Sequence, residues 1–135
     1  MIIMETRKWQ DVDEKLADEP KSEEFVKQKV TDYWENNRFG DFGANYEIMC
    51  NGVKQSVSKD VFVSKYKKDR EENLLAKPEK VEIGDVRIED DTAIARVTVF
   101  TLFYTEGTAG TTELIYENGR WCLTRKPDTL KWLQE

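Results

Sequence analysis

The sequence predicts an α+β domain in which amino-terminal helices pack on one face of a curved, antiparallel, bulged β-sheet. Three observations carry this. Apolar residues recur at helical spacing up to about residue 76. From residue 80 the period changes to two. Two turn signals, Asp90-Asp91 and Asn118-Gly119, then join consecutive strands with no room for a helical crossover. The 135 residues suffice for one domain with its own core. The expected division is an amino-terminal helical extension over 1–21 and a single cone-shaped domain over 22–135.

In the extension, Trp9, Val12 and Leu16 form a thin helical stripe. The spacing predicts a short helix docked through Trp9, then a loose link at Asp18-Glu19-Pro20-Lys21. Ser22 is a good N-cap, and Glu23 and Glu24 complement the dipole of the helix it opens. Val26, Val30, Tyr33 and Trp34 give that helix an apolar, aromatic face, and Gly40 ends it. Asp41 caps a short helix with Phe42, Tyr46 and Met49, which Asn51-Gly52 stops. Ser58 caps a third helix, Lys59 to Ala76, with Phe62, Tyr66 and Leu74 on one side. Lys65, Lys67, Lys68, Asp69, Arg70, Glu71 and Glu72 read as its solvated face, and Pro78 closes the helical half.

Val81, Ile83, Val86 and Ile88 mark the first strand. Their alternation slips at Gly84-Asp85, which predicts a β-bulge. Thr92–Thr105 reads as a long second strand, Glu106–Gly110 as a loop, Thr111–Glu117 and Arg120–Arg125 as a hairpin about Asn118-Gly119. A tail after Pro127 is anchored by Leu130, Trp132 and Leu133. The two-residue turns fix the register. Tyr116 opposes Trp121 and Leu114 opposes Leu123, while Ile88 opposes Ala93 and Val86 opposes Ala95. Val86, Ile88, Ala93, Ala95, Val97, Val99, Thr101 and Phe103 then share the face that packs on helices. The other face mixes Arg87, Ile94, Arg96, Thr98, Phe100, Leu102 and Tyr104.

Charge and composition narrow the function. A net charge of −6 disfavours nucleic acid and anionic membrane, since phosphate binding needs clustered Lys and Arg. No run approaches a membrane span, and Met1–Lys8 does not read as a secretory signal, so the expected setting is cytoplasmic. With no histidine, the commonest general base and metal ligand is missing. Cys50 and Cys122 stand apart with no CxxC and read as two reduced, buried thiols. The acid pairs Glu23-Glu24 and Glu71-Glu72 read as helix surface, and Asp90-Asp91 as a turn. No phosphate loop, zinc spacing or calcium loop occurs, so neither metal nor cofactor is expected.

Several segments together resemble the nuclear transport factor 2-like superfamily, the cone fold shared with ketosteroid isomerase and polyketide-cyclase-like proteins. They are Phe25–Gly40 with Asp41–Cys50, Val57-Ser58-Lys59-Asp60-Val61-Phe62, Val81–Val99 with its Asp-Asp-Thr-Ala turn, and Leu114–Leu123 with Asn-Gly-Arg-Trp. The likeness covers about residues 22–125 and is one of pattern and element order. It implies a pocket between the first and third helices and the concave sheet face, onto which Val30, Tyr33, Trp34, Phe62, Tyr66, Val97, Val99, Phe103, Tyr116 and Trp121 map. Equally, these side chains fill a core. The family's histidine dyad is absent. Of its isomerase device, an Asp base with a Tyr and a protonated Asp, only Tyr33 finds a counterpart, so no catalytic residue is assigned.

The expected function is therefore a non-catalytic domain that binds a small apolar ligand or a protein. It is expected to form a homodimer through the outer sheet face at Ile94, Arg96, Phe100, Leu102 and Ile115. The alternatives are an isomerase or cyclase-type enzyme and an accessory, regulatory interaction domain.

Overall fold

In the computed structural model, residues 17–135 are described. The expected amino-terminal helix with Trp9 lies outside them. The described elements run α1 (Glu23–Phe39), α2 (Phe42–Glu47), α3 (Asn51–Ser56), α4 (Lys59–Glu72), a 3₁₀ turn (Leu74–Ala76), β1 (Lys80–Glu89), β2 (Thr92–Phe100), β3 (Thr108–Glu117), β4 (Arg120–Leu123) and α5 (Pro127–Gln134). The four strands form one antiparallel sheet in the order β1-β2-β3-β4.

The helix boundaries follow local chemistry. The Ser22 hydroxyl accepts the Phe25 N–H at 3.2 Å, Asp41 accepts Ala44 N–H at 3.2 Å, and Ser58 accepts Val61 N–H at 3.3 Å. Gly40 ends α1 with φ +76°, which costs a glycine little. Arg70, expected on a solvated face, instead folds back on this end. Its guanidinium donates to the Asn37 carbonyl and, at 2.8 Å, to Asn37 Oδ1, placing a cation at the negative pole of α1.

The short helix ends at Glu47, before Met49, and Asn51-Gly52, instead of stopping it, opens α3. The Asn51 N–H is held by the Glu117 carboxylate at 2.8 Å, and Val53 is buried in the core. Tertiary contacts here outweigh a local breaker signal.

The sheet keeps the expected register. Ile88 pairs with Ala93, Val86 with Ala95, Tyr116 with Trp121 and Leu114 with Leu123, and the register shifts between Ile83 and Val86 as a bulge requires. The strand expected over Thr92–Thr105 stops at Phe100. Beyond it neither neighbour continues, because β1 starts opposite Phe100 and β3 starts opposite Val99. The chain turns instead: the Tyr104 N–H donates to Thr101 Oγ1 at 2.8 Å. Gly107, at φ +91°, lies so close to Thr98 and Phe100 that a Cβ would sit 2.7 Å from Thr98 Cγ2. In turn β3 begins at Thr108, three residues earlier than expected, and the tail after Pro127 is a helix.

The core lies between α1, α4 and the concave sheet face. Val26, Val30, Phe62, Ala95, Leu114, Trp121, Leu123 and Leu133 are all essentially inaccessible. Each large apolar side chain so buried contributes about 1.5–3 kcal/mol. The link at residues 18–21, expected to be loose, is tied down over the β3–β4 hairpin. Glu19 N–H donates to the Gly119 carbonyl at 2.8 Å, and Trp121 Nε1 donates to the Pro20 carbonyl at 3.1 Å. The Glu19 carboxylate accepts the Trp121 backbone N–H at 2.7 Å and pairs with Lys29 at 2.9 Å.

Cys50 and Cys122 form a disulfide across 72 residues, not the two reduced thiols expected. Isolated cysteines carry no spacing signature, and their proximity arises only when the segment after α2 pairs with β4. There the Leu123 N–H donates to the Ile48 carbonyl and the Cys50 N–H to the Leu123 carbonyl, both at 2.9 Å.

Candidate functional site

The space between helices and sheet is filled. Of the expected pocket residues, Val30, Tyr33, Phe62, Val97 and Trp121 are buried in the core, with Trp34, Tyr66, Val99 and Tyr116 partly buried against it. Phe103 does not belong with them: it sits on the turn after β2 and is 64% exposed. Aromatic rings pack this interior: Phe62 lies edge to face with Tyr46 at 5.2 Å and tilted against Tyr66 at 4.7 Å between centroids, and Tyr66 stacks on Phe42 at 5.7 Å.

The open space lies at the rim. A hollow of about 160 Å³ is walled by Tyr33 and Trp34 of α1, Thr111, Thr112 and Glu113 of β3, Thr124, Arg125 and Lys126 of the link after β4, and Thr129 of α5. Its lining mixes five hydroxyl-bearing residues and two cations with the Trp34 ring and the acidic Glu113. Trp34 Nε1 donates to Thr112 Oγ1 at 3.2 Å, which fixes the indole against β3. Arg125 donates to the Tyr33 hydroxyl at 2.7 Å and the Tyr66 hydroxyl at 3.2 Å, and its guanidinium lies 4.9 Å from the Tyr33 ring centre.

The electrostatics follow from burial and partners. Burial opposes the charge on Arg125, but the facing tyrosine oxygens outweigh it and raise its pKa, so the guanidinium stays charged. Burial pushes the Tyr66 hydroxyl above the usual tyrosine value, with Arg125 pulling the other way. Among the described residues no carboxylate forms an ion pair with Arg125. Its charge is therefore held by neutral oxygens next to an open hollow.

Sequence reading found Tyr33 and Trp34 but missed Arg125, Thr112 and Thr124. Arg125 stood at the expected end of a strand, in Leu-Thr-Arg-Lys-Pro, and nothing in that run marks it as inward-facing. The expected outer-face residues separate. Ile94 and Arg96 are exposed on β2, Phe100 and Ile115 are partly covered, and Leu102 lies off the sheet on the exposed turn.

A second hollow, about 260 Å³, lies beside the disulfide and is bordered by Lys29, Glu47, Lys54, Glu117 and Arg120. Cys50, Glu117 and Cys122 bring their ligand atoms within 4.8 Å there, but both sulfurs are committed to each other.

The fold is similar to that of a solved structure from Campylobacter jejuni described as "Putative NTF2-like transpeptidase". The two share 16% identity with a TM-score of 0.57, over 75% of this chain and 98% of that one. The chain has the nuclear transport factor 2-like fold. No family model and no curated protein matches the sequence. Within this fold the apolar interior is packed, and the hollow beside Arg125 is open. No described helix is long and apolar enough to cross a membrane.

Proposed function

We propose that this is a non-catalytic binding domain whose ligand site is the rim hollow, and that the ligand presents a carboxylate to Arg125. One observation carries the reading: a charged guanidinium, unpaired by any described carboxylate, borders an open hollow together with Trp34 and threonine hydroxyls. Nε, Nη1 and Nη2 each donate once within the chain, to the Tyr66 hydroxyl, the Thr124 carbonyl and the Tyr33 hydroxyl, which leaves one N–H on each terminal nitrogen for a carboxylate. The volume suits a ring-sized molecule, since an engineered cavity of about 150 Å³ holds benzene. The test is titration with benzoate, followed by tryptophan fluorescence and by shifts of Arg125 and Thr112 amide resonances. Saturable shifts that vanish in Arg125→Gln support the site; no response in the intact chain removes it.

An isomerase-like reading would need a desolvated carboxylate at Tyr33. The Tyr33 hydroxyl instead takes Arg125 as its partner, which favours binding over proton transfer. The disulfide favours an oxidising compartment over the cytoplasmic setting expected from the sequence. A homodimer through the outer sheet face would bury Ile94, which is exposed there beside the partly covered Phe100 and Ile115. Ile94→Asp should then halve the mass seen by light scattering, and an unchanged mass would remove the dimer.

A further inference from the structure

We propose that the open edge of β3, residues Thr108–Thr112, receives the carboxy-terminal segment of a peptide as an added strand, with its terminal carboxylate on Arg125. This rests on the rim hollow being the ligand site and names what fills it.

The edge follows from the ladder. In an antiparallel sheet, successive residues direct their N–H and C=O groups to alternate neighbours. Tyr116 N–H bonds towards β2, at the Asp91 carbonyl, whereas the Glu113 carbonyl faces the other way and accepts Thr124 N–H at 3.2 Å. Odd-numbered residues of β3 thus point towards β4. But β4 pairs only with Leu114–Glu117 and ends at Leu123. Below that, the N–H and C=O groups of Ala109 and Thr111 and the N–H of Glu113 meet no partner among the described residues. Ala109, Gly110 and Thr111 are all exposed.

The other two edges are protected. β1 carries Lys80, Glu82, Asp85, Arg87 and Glu89 and a bulge. β4 is covered by the chain from Ile48 to Cys50. Charge, bulges and coverage are the usual guards against strand addition. The run Thr108-Ala109-Gly110-Thr111-Thr112 has none: no charge, no proline, no bulge. Paired with β2 on one side, it offers about 17 Å of unpaired edge on the other, and Thr111 and Thr112 also line the rim hollow.

Geometry and charge select the occupant. Thr124 closes the edge at Glu113, so an added strand must end there. An amino terminus would set an ammonium beside Arg125 and Lys126; a carboxy terminus running parallel to β3 sets a carboxylate there. Main-chain pairing would supply affinity and the guanidinium the polarity. Glu113 also borders the hollow, though it belongs to the outward series with Ile94.

The test is selection of random octapeptides with free carboxy termini on the intact chain, then titration of the synthetic winner by tryptophan fluorescence. Amidating its carboxy terminus, N-methylating alternate peptide amides, and Thr111→Pro in the protein should each weaken binding about tenfold or more. The proline removes an outward N–H and leaves the β2 ladder intact, and the N-methyl series needs no altered protein. Winners indifferent to amidation and to N-methylation would overturn the proposal. So would an empty selection from a chain that still binds benzoate, which leaves the hollow a small-molecule site. A chain that binds neither loses the hollow as a ligand site altogether.

Discussion

The Arg125 guanidinium donates to the Tyr33 hydroxyl at 2.7 Å, joining the link after β4 to the middle of α1 across 92 positions. A hydrogen bond to a charged group contributes about 1.5–3 kcal/mol, more than a neutral pair. Tyr33→Phe should therefore lower unfolding free energy in urea by about 1–2 kcal/mol while the ring keeps its packing. It should also loosen Arg125 and weaken benzoate binding. Unchanged stability together with unchanged affinity would show that the contact does neither.

Tyr66 sets an alkaline limit. Burial raises its folded pKa above the ordinary value of 10.0. As pH rises through 10, the unfolded chain releases this proton before the folded chain does. Stability present below that point is then lost as pH climbs towards the folded value. Tyr66→Phe should flatten the decline in melting temperature above pH 10, with parallel curves for wild type and variant counting against the assignment.

The disulfide closes a loop of 72 residues. Constraining the unfolded chain over that length is worth up to about 4 kcal/mol. Dithiothreitol should lower the urea midpoint accordingly, and Cys50→Ser with Cys122→Ser should reproduce the reduced protein. Equal midpoints with and without reductant would refute the contribution.

Glu19 holds a largely buried polar set together. Its side chain is 10% exposed and its partner Lys29 only 16%, and it also accepts the Trp121 N–H. Removing Glu19 takes the acceptor from the half-buried Lys29 ammonium and from the Trp121 N–H, at about 1–3 kcal/mol each. Glu19→Ala should cost about 2–4 kcal/mol in chemical denaturation, and Glu19→Gln, which can still accept from Trp121, less. Identical losses in the two variants would place the effect in packing alone.

What could be read from the sequence was local or periodic. Ser22, Asp41 and Ser58 announce helix starts because a cap needs only its own next three residues. Asn118-Gly119 fixes the pairing of Tyr116 with Trp121 because a two-residue turn leaves no freedom in register. The bulge at Gly84-Asp85 shows as a slip in alternation. What failed depended on distant partners. Leu102, Phe103 and Tyr104 look like strand, yet no neighbour reaches them. Cys50 meets Cys122 only after the sheet is complete. Arg125 is one cation among many until two tyrosines from separate helices converge on it.

The strap formed by Glu19 and Pro20 has a bearing on synthesis. The acceptors it supplies to Trp121 and Tyr116 are made about a hundred residues before their donors. On a ribosome the α1 end therefore waits with its buckle open, and the molecule is fastened only when its last hairpin emerges.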